Sequence, residues 1–135
     1  MSRIILDSNA YTEFFQGNKA IKETIDKSTT VVMSVIVIGE LLAAFKKGNQ
    51  ERTNKRQLEQ FLSKPSIEFA EAGRETAAIY SEIKHQLDQT GKPIPLNDIW
   101  IAAHVMETGS VLVTYDKHFL NIPGLRLWDY LVRNN

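Results

Sequence analysis

The chain has 135 residues, 43% hydrophobic and 24% charged, and its sixteen basic and sixteen acidic side chains cancel. This is the length and composition of one ordinary soluble domain, spanning 1–135, and the balanced charge argues against a strongly basic nucleic-acid binder while leaving local patches open. The absence of cysteine excludes disulfides, thiolate metal sites and cysteine nucleophiles.

Ile4-Ile5-Leu6 is a short apolar run closed by Asp7, which predicts a buried parallel strand. No secretory signal is expected, since Asp7 follows only three apolar residues. The longest apolar run, Val31 to Gly39, is interrupted by Ser34 and falls far short of the roughly 20 residues of a membrane span. A cytoplasmic protein is expected. Ser8 or Asn9 can cap a first helix with Tyr11, Phe14 and Phe15 on its apolar face, and Gly17-Asn18 breaks it. Lys19 to Ser28 predicts a second helix, Thr30 to Met33 a second strand. Ser34 then looks like an N-cap for a helix carrying Val37, Glu40, Leu41, Ala44 and Phe45. Gln50 to Lys64 predicts a polar helix with Leu58, Phe61 and Leu62 inside, and Ile67-Glu68-Phe69 a short strand. Arg74 to Gln89 is amphipathic, with Ala77, Tyr80, Ile83, Lys84 and Leu87 near one face.

Pro93 and Pro95 disfavour helix just before Leu96-Asn97-Asp98. Asn97 or Asp98 can cap the helix that follows, in which Ile99, Ala102, Ala103 and Met106 recur at helical spacing. Val111 to Thr114 predicts a fourth strand, Tyr115-Asp116-Lys117 and Ile122-Pro123-Gly124 turns, and Leu125 to Trp128 a final strand. Strands alternating with helices argue for an α/β fold with a parallel sheet, in which ligands bind beyond the carboxyl ends of the strands.

Asp7 follows the first predicted strand and Asp116 the fourth, at the end where a site would be, and Glu40 and Asp98 occupy comparable junctions between elements. Each alone is accounted for as a cap, a turn residue or a wet helix face. Gathered in one cleft they would repel strongly, and a cation that neutralises them explains their retention. Carboxylate oxygens suit Mg²⁺ or Mn²⁺ better than zinc. Thr114 can donate to a carboxylate, Asn9 can orient Asp7, and His118 can contact substrate, although an exposed loop histidine is the default. His85 is read as solvated, His104 as a packed or surface histidine rather than a ligand, and Trp100 and Trp128 as core. Lys46, Lys47, Arg52, Lys55 and Arg56 are expected to form a solvated face pairing with Glu51 and Glu59, with phosphate contact as the sharper alternative.

Ile5-Leu6-Asp7-Ser8-Asn9, Ser34 to Leu41 with Glu40, Leu96 to Ala103 with Asp98, Val113-Thr114-Tyr115-Asp116-Lys117-His118-Phe119 and Ile122-Pro123-Gly124-Leu125 together resemble a PIN-domain ribonuclease, specifically the VapC-type toxins of toxin–antitoxin pairs. The resemblance covers essentially the whole chain. It implies a three-layer α/β/α sandwich with strand order 3-2-1-4-5. It implies Mg²⁺ or Mn²⁺ held by Asp7, Glu40, Asp98 and Asp116, with Thr114 and Asn9 in the family's supporting positions. It implies hydrolysis of single-stranded RNA, a homodimer, and an antitoxin that blocks the cleft. A haloacid-dehalogenase-like phosphotransferase needs an acid two residues after Asp7, where Asn9 stands. A receiver domain needs paired acids after strand one. A catalytically inactive PIN-fold module that only binds RNA or protein is the remaining alternative.

Overall fold

The computed structural model describes residues 2–134. The central sheet is built from β1 (Arg3–Leu6), β2 (Thr30–Ser34), β3 (Ile67–Ala70) and β4 (Val111–Val113) in the order β3-β2-β1-β4, all pairs parallel. Ile4 faces Val31 on one side and Val111 on the other, and Leu6 pairs with Val113. Ile5, Leu6, Met33, Leu112 and Val113 are fully buried. Strands covered on both faces need continuous apolar sequence rather than alternation, which is what these runs supply.

The helices α1 (Ser8–Phe15), α2 (Lys19–Lys27), α3 (Val35–Lys47), α4 (Glu51–Leu62), α5 (Arg74–Thr90) and α6 (Leu96–Thr108) flank this sheet in a three-layer α/β/α arrangement. Residues 91–95 join α5 and α6 into a hairpin in which the Tyr80 and Trp100 rings stack 4.2 Å apart. Gly91 and Gly109 end α5 and α6 in the left-handed conformation at φ 66° and 63°, the C-terminal role for which glycine carries no steric cost.

Some local expectations are corrected. The fifth strand, expected over Leu125 to Trp128, contracts to one parallel bridge from Leu127 to Leu112. Among the described residues, backbone bonds from Leu112 N–H to the Arg126 carbonyl (2.9 Å) and from Trp128 N–H to the Leu112 carbonyl (2.9 Å) join the two segments. Beyond the bridge the chain winds into α7 (Asp129–Arg133), so the pairing is cut off. The bridge lies beside β4, the flank that order 3-2-1-4-5 gives to a fifth strand. A 3-10 helix, Lys117–Asn121, replaces the turn expected after Asp116. On α5 the buried side chains are Thr76, Ile83 and Leu87, whereas Ala77 is exposed. Trp128 is buried, but Trp100 is only half-buried.

Candidate active site

Asp7 follows β1 directly and caps α1 itself, in place of Ser8 or Asn9: one carboxyl oxygen accepts the Ala10 N–H at 2.8 Å. The other accepts the hydroxyl of Thr114, which follows β4. Because Leu6 and Val113 are paired across the sheet, the residues after them come side by side, 107 positions apart in sequence. The Thr114 oxygen in turn accepts the Asp116 N–H at 2.9 Å. Its single proton is thereby directed at Asp7. Asp116 caps the 3-10 helix by accepting the His118 N–H at 3.0 Å.

Ser34 ends β2 and caps α3, accepting the Ile36 N–H at 3.1 Å, which aims the helix so that Glu40 reaches the ends of the strands. Glu40 accepts the Ser8 hydroxyl at 2.6 Å and the Asn97 amide at 3.3 Å, one on each oxygen. Asp98 stands in the first turn of α6, whose N-cap is Pro95, so neither Asn97 nor Asp98 caps that helix. Asp7, Ser8, Asn9, Glu40, Asp98, Ile101 and Asp116 together line one cleft of about 150 Å³. The structure therefore brings all four predicted acids to one place. Asn9 borders the cleft, exposed, while the bonds to Asp7 come from Thr114 and Ala10. His118 Nδ1 lies 3.1 Å from Asp116 Oδ1 and 3.6 Å from Asp98 Oδ2.

The electrostatics follow from burial. Asp7 is 6% exposed, and its pKa is raised from the ordinary 3.8 to about 6. Desolvation is the main cause; the bonds from Thr114 and Ala10 oppose it, and the charges of Asp116 and Asp98 add to it. Asp98 is also raised, first by burial, then by Asp116 and Glu40, against the lowering effect of His118. Among the described residues no lysine or arginine forms an ion pair with any of these acids. Clustered hard oxygen donors, partly dry and without a cationic partner, fit a divalent cation. Asp98, Asp116 and His118 present donor atoms that all lie within 4.8 Å of one another.

Sequence reasoning missed Ser8 and Asn97 as partners of Glu40, because both were accounted for as caps. The signal available was a hydroxyl and an amide adjacent to Asp7 and Asp98. His104 is fully buried, with Nδ1 2.7 Å from Ser34 Oγ and Nε2 3.0 Å from the Glu71 carbonyl oxygen, a packed histidine joining α6 to the start of α3. His85 is exposed. Lys46, Lys47, Arg52, Lys55 and Arg56 are exposed, and Lys46 pairs with Glu51 at 3.2 Å.

Residues 4–125 match the model of the PIN domain family. The chain is 34% identical over 110 residues to Ribonuclease VapC2 of Rickettsia felis, covering 79% of this chain and 81% of that one. It is 29% identical over 134 residues to the tRNA(fMet)-specific endonuclease VapC of Salmonella typhimurium, covering 96% and 99%. Its structure is similar to VapBC2 of Rickettsia felis, solved bound to a DNA fragment from their promoter, with a TM-score of 0.83 at 28% identity, covering 94% of this chain and 99% of that one.

Proposed function

This chain belongs to the PIN-domain family, and from that premise we propose that it is a metal-dependent endoribonuclease, the toxin of a toxin–antitoxin pair, that hydrolyses phosphodiester bonds of single-stranded RNA. The observation that carries this reading is the meeting of Asp7, Glu40, Asp98 and Asp116 in one cleft at the carboxyl ends of the strands. Relatives named as ribonucleases, and a structural neighbour solved as a toxin–antitoxin complex, support it. The cognate antitoxin is the protein partner in this reading, and a second copy of the chain completes a homodimer. Residues 1–135 act as one functional domain. No helix among the described residues is long and apolar enough to cross a membrane, and cytoplasmic residence belongs to the same proposal. A module that only binds would have no need to hold four acids together, so the inactive alternative is not favoured.

The residues divide the work as follows. Asp7, Glu40, Asp98 and Asp116 hold Mg²⁺ or Mn²⁺; bound there, such an ion supplies charge neutralisation at the phosphoryl oxygens and acidifies a water for attack on phosphorus. Thr114 and the Ala10 N–H fix both oxygens of Asp7, and Ser8 and Asn97 fix those of Glu40. That preorganisation keeps the carboxylates from reorganising as the reaction proceeds. An unneutralised cleft repels the phosphate backbone, so cleavage depends on the cation. The test is incubation of the purified protein with single-stranded RNA in EDTA, Mg²⁺ or Mn²⁺. Cleavage restricted to the metal-containing reactions is expected; cleavage in EDTA overturns metal dependence, and none in either metal overturns the nuclease assignment.

A further inference from the structure

His118, on the 3-10 helix that Asp116 caps, lies against two of the four acids and has no part in the reading above. We infer that His118 supplies an imidazole nitrogen to the cation held by Asp98 and Asp116, and that this nitrogen makes the centre prefer a first-row transition ion of the Mn²⁺ type over Mg²⁺. The inference rests on the metal-site part of the proposed function and adds a ligand to it.

The geometry carries it. His118 Nδ1 is 3.1 Å from Asp116 Oδ1 and 3.6 Å from Asp98 Oδ2, and one donor atom from each residue falls within 4.8 Å of the others. Around an octahedral ion with bonds of about 2.1 Å, neighbouring ligand atoms sit about 3 Å apart and opposite ones about 4.2 Å apart. The trio is thus spaced for one shared ion with small rotations of the side chains. The backbone helps: His118 N–H donates to Asp116 Oδ1 at 3.0 Å, tying the two residues into one turn. Half of the His118 side chain is exposed, so the neutral ring can turn its Nδ1 lone pair to the ion while Nε2–H faces water. Mg²⁺ favours oxygen ligands and retains its waters, whereas imidazole suits transition ions. An all-carboxylate cleft would not discriminate in this way. The chain has three histidines. Both ring nitrogens of His104 are engaged, and His85 is exposed on α5, so a histidine nitrogen on the metal is assignable.

The experiment adds MnCl₂ to the full-length protein, records pulsed electron paramagnetic resonance for ¹⁴N coupling, and measures Mn²⁺ and Mg²⁺ affinities by calorimetry; RNA cleavage is scored separately. Expected is a histidine ¹⁴N coupling that persists in His85→Asn and disappears in His118→Asn. The latter variant, shown folded by its melting curve, should lower the ratio of Mn²⁺ to Mg²⁺ affinity by about tenfold or more. Mn²⁺ bound without nitrogen coupling, or an unchanged ratio, overturns the inference even if RNA is cleaved. Coupling present without cleavage upholds the ligand and overturns the nuclease assignment. No Mn²⁺ binding at all overturns the inference, while cleavage in Mg²⁺ would still uphold the nuclease assignment.

Discussion

Asp98 and Asp7 carry opposite risks when altered, because one stands at the rim and the other is buried. Asp98→Asn keeps the side chain's shape and removes one charge from the cluster. RNA cleavage should fall by at least about a hundredfold, each tenfold being about 1.4 kcal/mol of transition-state stabilisation. The metal-free protein should melt at the same temperature or higher, since repulsion from Asp116 and Glu40 is relieved. The melting gain from millimolar Mn²⁺ should shrink. Wild-type cleavage by this variant would remove Asp98 from the metal site. Asp7 has its native pKa raised to about 6, so the folded protein holds that proton more tightly than the unfolded chain. The stability this contributes is fully present below about pH 4 and is lost as pH rises through about 6, on the order of 3 kcal/mol. In EDTA, Asp7→Asn should therefore gain on the wild type as pH rises from 4.5 to 7.5. Thermal melts across that range check it, and a constant difference between the two proteins contradicts it.

At the scale of elements, Ser34 does two things: it caps α3 and meets His104 of α6. Ser34→Ala leaves a helix N–H and a buried imidazole nitrogen without their partner, and should cost about 1–3 kcal/mol. Urea denaturation at fixed pH measures this; a loss under about 0.5 kcal/mol would mean that water replaces the hydroxyl. The same junction shows what the sequence could and could not convey. Ser34 before an apolar periodic run is a local signal, and the cap forms as expected. Its bond to a histidine 70 residues away has no local signature. β1, β2 and β4 were legible because strands buried on both faces demand nearly unbroken apolar runs, whereas β3 is mostly exposed and carries Glu68. The final strand was not, because whether Leu125 to Trp128 pairs at full length depends on a β4 of only three residues and on the turn into α7. Asp7, Asp98 and Asp116 were legible as residues closing strands or opening helices, and Glu40 as an acid among the apolar neighbours Val37, Ile38, Leu41 and Leu42 within α3. The hydrogen bonds that orient Glu40, spanning 32 and 57 positions, were not.

For the whole molecule, association is the natural test. Exposed Phe15, Phe69, Leu96, Tyr130 and Val132 accompany a proposed homodimer, and light scattering at micromolar concentration should return twice the 15.3 kDa chain mass; a monomer contradicts it. An antitoxin segment that places an arginine or lysine among the acids should abolish cleavage of a short RNA and suppress the Mn²⁺-induced melting gain, a cation substituting for a cation. Cleavage unaffected by saturating antitoxin would exclude this mode of inhibition. The parallel strand order has one more consequence, which concerns time. β1 emerges first but stands between β2 and β4, and Asp7 waits for a threonine 107 residues downstream. At roughly 5–20 residues per second on the ribosome, several seconds pass before the first acid meets the last. A nascent chain stalled anywhere before β4 lacks Thr114 and Asp116 altogether, so, on the proposed site, translation that aborts early should release only fragments without cleavage activity.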